Sequence, residues 1–218
     1  MSDESLFREV DEEVRQEQFK KLWDRYGNAV VALCLVVVAA VAGFKGWQYW
    51  QVKQAETAAG AFFAAGALAA DGKSDEALKQ YGTISHSGYG TLARLRAANV
   101  QLAAGKTADA VKAYDAIAAD TSIAQPLRDA ARLRAAYALV DTAKPEDLAG
   151  RVNTLDAPGN AWRHAARQVM ALSMWRAGDY AGAQRQVAAM LSDGETPPGI
   201  RQSAQALNDL LLPLADKK

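Results

Sequence analysis

The sequence predicts an all-α fold: one apolar helix near the N-terminus, then a stack of about four helical hairpins closed by a terminal helix. Three observations carry this. Half of the residues are hydrophobic and many of those are alanine, which favours helix, while alternating Val/Ile/Thr runs that would read as strands are missing. Residues 24–50, DRYGNAVVALCLVVVAAVAGFKGWQYW, contain a long uncharged run. Beyond that run, small and apolar residues recur at a fixed spacing from glycine.

The chain has 218 residues, enough for one domain of ordinary size plus an appendage. Lys+Arg and Asp+Glu are equal at 25 each, so the basic surplus of a nucleic-acid binder is missing. The single cysteine, Cys34, lies inside the apolar run. It excludes a disulfide framework and a Cys-based metal site, and reads as a small membrane-facing hydrophobe.

The first element is the apolar run. Ala29 to Phe44 carry no charge and no strong polar group. As a helix these sixteen residues span about 24 Å, slightly short of a hydrocarbon core of roughly 30 Å. The flanks extend it: Trp23 and Tyr26 precede the run, and Trp47, Tyr49 and Trp50 follow, as the two membrane interfaces favour. Lys45 can reach the headgroups on its long stem. Arg8, Arg15, Lys20, Lys21 and Arg25 stand before the run, and Lys45 and Lys53 after it. This bias puts the N-terminus in the cytoplasm and the chain after Trp50 outside.

Two other readings of the run stay open, a cleaved signal peptide and a buried soluble helix. Ala40-Val41-Ala42 forms an A-x-A cleavage pattern. Against cleavage, the preceding segment is long and rich in acid, and the apolar and aromatic pattern continues to Trp50. The expected division is therefore a cytoplasmic, amphipathic and acidic segment (1–23), an uncleaved anchor (24–50) and a repeat domain (51–218).

The repeat is legible by alignment without gaps. Gly72, Ala77, Tyr81 and Ile84 form one set, Gly105, Ala110, Tyr114 and Ile117 a second, and Gly178, Ala183, Val187 and Met190 another. Ala65, Ala98 and Ala171 stand seven residues before each glycine. Glycine ends a first helix where a left-handed residue is needed. Ser74, Thr107 and Asp179 are the expected caps of the second helices. A degenerate unit between the second and last sets uses Ala136, Leu148, Val152 and Leu155, with TAKPE in place of the glycine turn. The units cover about 58–87, 88–122, 125–157 and 160–193. A helix over 197–212, capped by Thr196 and striped by Ile200, Ala204, Leu207, Leu210 and Leu211, is expected to close the stack.

The pattern of small residue, glycine turn, alanine and aromatic residue resembles the tetratricopeptide family. Over nearly the full length, FREVDEEVRQEQFKKLWDRYGNAVVALCLVVVAAVAGFKGWQYWQ, YGTLARLRAANVQLAAGKTADAVKAYDAIAAD, PLRDAARLRAAYAL and WRAGDYAGAQRQVAAML resemble the bacterial ancillary SecYEG translocon subunit family. That resemblance implies a single-pass bacterial inner-membrane protein with a periplasmic tetratricopeptide-like domain. It implies as partners the Sec translocon and a periplasmic membrane-anchored prolyl-isomerase-like chaperone. It supplies no catalytic motif.

Catalytic chemistry has little to build on. His86 reads as a solvated loop residue and His164 as a helix-surface residue. H-x-x-H, H-E-x-x-H, G-x-S-x-G, the P-loop and G-x-G-x-x-G are missing from the sequence. No enzyme activity, cofactor, metal, nucleic acid or small-molecule substrate is expected. Arg128, Arg132, Arg134, Arg163 and Arg167 read as a solvated helix face offset by Asp115, Asp120 and Asp129, or else as a basic surface for acidic partners. Placing first helices on the binding face gives a protein-binding groove of Leu92, Leu95, Asn99, Leu102, Leu133, Tyr137, Val140, Leu172 and Trp175. A register error of one residue, or a terminal helix folded back, would remove it. Phe62 and Phe63 cannot share a helix face, so one of them is free to meet a partner or the membrane surface. The expected function is a membrane-anchored scaffold at the export channel. The alternatives are an envelope scaffold for cell division, cell wall or stress signalling, and a regulatory tether acting through residues 1–23.

Overall fold

The computed structural model describes residues 3–215, with side chains from Arg15 onward except those of residues 16, 18 and 215. The side chains of Arg8 and of residues 11–13, and residues 216–218, therefore lie outside the described residues. The described chain is all helical: α1 (Asp3–Ala70), α2 (Ser74–Gly82), α3 (Tyr89–Ala103), α4 (Thr107–Ala119), α5 (Gln125–Leu139), α6 (Pro145–Val152), a 3₁₀ turn (Asn153–Leu155), α7 (Arg163–Arg176), α8 (Tyr180–Ser192) and α9 (Pro198–Ala215). By internal contacts the chain divides into residues 1–54 and residues 55–218.

In the first part, α1 runs through the apolar stretch and is long and apolar enough to cross a membrane. Its backbone bonds are made within the helix, which is what a lipid environment demands. The side chains face outward: Leu35 is 65% exposed and Val38 64%.

In the second part, the end of α1 pairs with α2, α3 with α4, α5 with α6, and α7 with α8. Gly72, Gly105 and Gly178 adopt φ of +78°, +75° and +82°. Each turn closes in the same way: Lys73 N–H donates to Leu68 O, Lys106 N–H to Gln101 O and Asp179 N–H to Met174 O, all at 2.9 Å. This is the six-residue Schellman closure that a left-handed glycine permits. The capping expectation holds only at the last turn, where Asp179 Oδ1 accepts the Gly182 N–H at 2.8 Å. Ser74 and Thr107 are instead the first helical residues, after Lys73 and Lys106, because the glycine closure leaves one residue fewer before the helix begins.

Every apolar repeat position aligned in the sequence is buried, while the turn glycines are exposed. Ala65, Ala98, Ala136 and Ala171 are fully inaccessible, as are Ala77, Ala110, Leu148 and Ala183. Methyl-sized side chains at these positions let helix axes approach, and Tyr81, Tyr114, Val152 and Val187 fill the space between. The cores run in sequence along the stack: one cluster joins α3, α4 and α5, a second joins α5, α6 and α7, and a third joins α7, α8 and α9.

The terminal helix starts one residue later than expected, and Thr196 is not its cap. Thr196 is buried, and its hydroxyl donates to Met190 O at 2.6 Å. Arg201 donates to Leu191 O at 2.8 Å and Asp193 O at 2.6 Å, tying α9 to the carbonyl end of α8. Ala204, Leu207 and Leu211 are buried there, whereas Leu210 is 55% exposed and does not belong to the stripe. The leucine pair at 210–211 cannot share one helical face.

Candidate protein-binding face

The groove expected from sequence requires its side chains to be accessible. Leu95 is 9% exposed and packs with Ala98, Tyr114 and Ala135; Leu133 is 5% exposed and packs with Leu148 and Val169. Both are corrected from groove to core, since each faces the next hairpin. Leu102 is half-buried against the first of these clusters, and Tyr137 and Val140 against the second. Leu172 and Trp175 are half-buried against the cluster that α9 completes, so the terminal helix does fold over this end. Leu92 is exposed.

One step along each helix, the picture changes. Arg96 follows Leu95, Arg134 follows Leu133, and both arginines are exposed. Asn99 follows Arg96 by three residues on α3. Its Oδ1 accepts from the Tyr114 hydroxyl and from Arg134 Nη1 at 2.9 Å. Burial raises the pKa of the Tyr114 phenol against the lowering influence of Arg134, so it remains a donor. On the next pair of first helices, the Tyr137 hydroxyl donates to Gln168 Oε1 at 2.7 Å. Burial pushes that phenol up to about 12.

Asn99 and Arg96 also line a cavity of about 470 Å³ with Phe62, Phe63, Gly66 and Tyr81, where the end of α1 meets α2 and α3. The two phenylalanines divide as their adjacency requires. Phe62 packs on Tyr81 and Tyr89, each with ring centroids 5.7 Å away. Phe63 leans edge-on against Phe62 and is 68% exposed. The sequence signal for Phe63 was this adjacency; Arg96 was hidden by the off-by-one register.

The remaining polar residues are structural. His164 is 3% exposed, not a surface residue, because the α8–α9 loop covers it. Its Nε2 lies 2.9 Å from Asp193 Oδ2. Arg163 bonds Asp193 and Glu195, and Arg167 pairs with Asp156 at 2.6 Å. These two arginines are thus held in ion pairs, not spread on a solvated face. The Glu195 backbone N–H, then His164 and Arg163, hold the Asp193 carboxyl well below the usual range. Asp120, bonded first by Ser122 and then by Arg94, is lowered to about 2. Asp129 does offset Arg132, at 2.9 Å, while Asp115 pairs with Arg151. His86 lies half-buried in the loop before α3, where its Nδ1 accepts the Gly88 N–H at 3.1 Å. Among the described residues no three His, Cys, Asp or Glu groups converge as a metal site needs.

On α1, Trp23, Tyr26, Trp47, Tyr49 and Trp50 are 50–66% exposed on either side of the apolar run. Lys45 Nζ donates to Gln48 Oε1 at 3.5 Å.

Stacked helical hairpins with left-handed glycine turns and fully buried alanines at the close contacts define a helical-repeat protein, a class built for binding other proteins. Residues 20–155, more than half of the chain, match the tetratricopeptide repeat-like domain family, and the chain belongs to that family. The last hairpin, which keeps the same register, and α9 lie beyond the matched region. No curated protein and no solved structure matches the chain.

Proposed function

We propose that this protein is a single-pass inner-membrane scaffold whose repeat domain binds protein partners at the Sec export channel and assists chaperone-linked handling of exported proteins. In this reading residues 1–23 are cytoplasmic, 24–50 span the membrane and 51–218 form a periplasmic repeat domain. The observation that carries it is the coexistence, in one chain, of an exposed apolar helical run bounded by aromatic residues and a tetratricopeptide repeat-like domain. The charge bias around the run supports the orientation, and the resemblance to the ancillary translocon subunits supports the location.

The test is crosslinking in intact cells followed by co-purification from membranes solubilised in several detergents. Channel subunits and a membrane-anchored prolyl-isomerase-like chaperone are the expected partners. Recovery of cell-division, cell-wall or stress-signalling components in their place would favour the other envelope roles, and recovery of no partner in any detergent would sink the scaffold reading.

A further inference from the structure

We propose that the polar cavity lined by α5, α6, the 3₁₀ turn and the loop before α7 binds a neutral, hydroxyl-rich ligand of the saccharide class. The inference is independent of the scaffold reading, and it departs from the expectation that the chain has no small-molecule substrate.

The first observation is a buried carboxylate with one oxygen unspent. The cavity has a volume of about 560 Å³, within the range of small-molecule sites. Asp129 lines it and is 6% exposed. Its Oδ1 accepts from Gln125 Nε2 at 2.8 Å and from Arg132 Nη1 at 2.9 Å. Arg128 donates in turn to Gln125 Oε1, which fixes the amide so that its nitrogen serves the carboxylate. Asp129 Oδ2 takes no bond among the described residues. A largely buried carboxylate oxygen without a donor is costly, and a ligand hydroxyl would supply that donor.

The second is the balance of the other groups. Asn160 Oδ1 is spent on the Trp162 N–H at 2.8 Å, which leaves the Asn160 amide N–H groups as donors. Thr154 adds a hydroxyl that both donates and accepts. Arg132 is paired with Asp129, and Arg151 with Asp115, so the charges on the lining are already matched within the protein. An anion would meet the Asp129 carboxylate, and a cation the two guanidinium groups. Leu155 is the one lining residue with an apolar side chain, so an apolar ligand would strand the polar groups. Hydroxyls on a neutral skeleton donate to Oδ2 and accept from Asn160 and Thr154 at once.

The third is a glycine that packing does not require. Gly150 lies inside α6 and lines the same cavity. Glycine weakens a helix, and no atom lies within 4 Å of the place where its Cβ would stand. What its missing side chain does is leave this cavity open.

The experiment uses the full chain in lipid nanodiscs and isothermal titration calorimetry. The probes are maltose and chitobiose. The comparators are gluconate, glucosamine and alanine, which carry a negative charge, a positive charge and both. At least one disaccharide should bind saturably at millimolar concentration, more tightly than every comparator and with little change as salt is raised. Thr154→Val should weaken it about fivefold, the loss of one hydrogen bond. Gly150→Phe should abolish it by filling the cavity. Ala188→Phe, on the exposed face of α8, should change nothing. Thr154 and Gly150 are exposed, and circular dichroism verifies that the variants remain folded.

No saturable binding of either disaccharide, equal or tighter binding of any comparator, or unchanged binding in Gly150→Phe or Thr154→Val would each overturn the assignment.

Discussion

Asn99 on α3 accepts a hydrogen bond from Arg134 on α5 at 2.9 Å, and with the same oxygen it accepts one from the fully buried Tyr114 on α4. One amide thus links three helices from two hairpins. Asn99→Ala leaves the Tyr114 hydroxyl without its acceptor, and the expected cost is about 1–3 kcal/mol. Adding Tyr114→Phe to that variant should cost less than the two single changes summed, because the orphaned group is gone. Urea unfolding followed by circular dichroism measures both.

Glycine substitutions should have opposite signs at two positions. Gly105 has φ +75° and nothing within 4 Å of an added Cβ, so Gly105→Ala is penalised by conformation alone, by about 1–2 kcal/mol. Gly150 lies inside α6 with the same open space, so Gly150→Ala should stabilise by about 0.4–1 kcal/mol. The same unfolding midpoints report both.

Ala98 is fully buried where α3 meets α4. Ala98→Leu forces the helices apart and should cost about 1–3 kcal/mol. Ala103, one and a half turns on and exposed, should accept leucine with a change within about 0.5 kcal/mol.

Acid should loosen the last hairpin through Asp193. Its folded pKa lies below the ordinary carboxylate value, near 3.9 for a free aspartate. The stability it contributes is therefore complete above pH about 4 and is lost as pH falls through the folded value. Asp120 acts in the same direction, its contribution lost as pH falls from its ordinary value through about 2. Asp193→Asn should flatten part of the decline in unfolding midpoint below pH about 4, measured by thermal scans at stepped pH.

The repeat was legible because its signals are local. A glycine that must be left-handed, and an alanine seven residues before it that must be small, are each dictated by contacts within one hairpin. The degenerate unit was legible too, since Ala136, Leu148, Val152 and Leu155 keep the apolar pattern even where the glycine turn is replaced. The binding face was harder to read. Leu95 and Leu133 look like groove residues, but hairpin-to-hairpin packing claims both, and only the curvature of the stack decides that. His164 looked like a surface residue because its partner Asp193 lies 29 positions away. Pairings of that range leave no periodic trace in sequence.

In the proposed arrangement the chain is held in the membrane by α1 with its repeat domain on the periplasmic side. Protease treatment of intact cells and of spheroplasts, with the mass of the membrane-bound chain as readout, tests it most directly. The expected result is full-length chain in the membrane fraction, and digestion of the region after Trp50 only once the periplasm is opened. A soluble periplasmic chain beginning at Gly43, or a repeat domain still protected in spheroplasts, would contradict it.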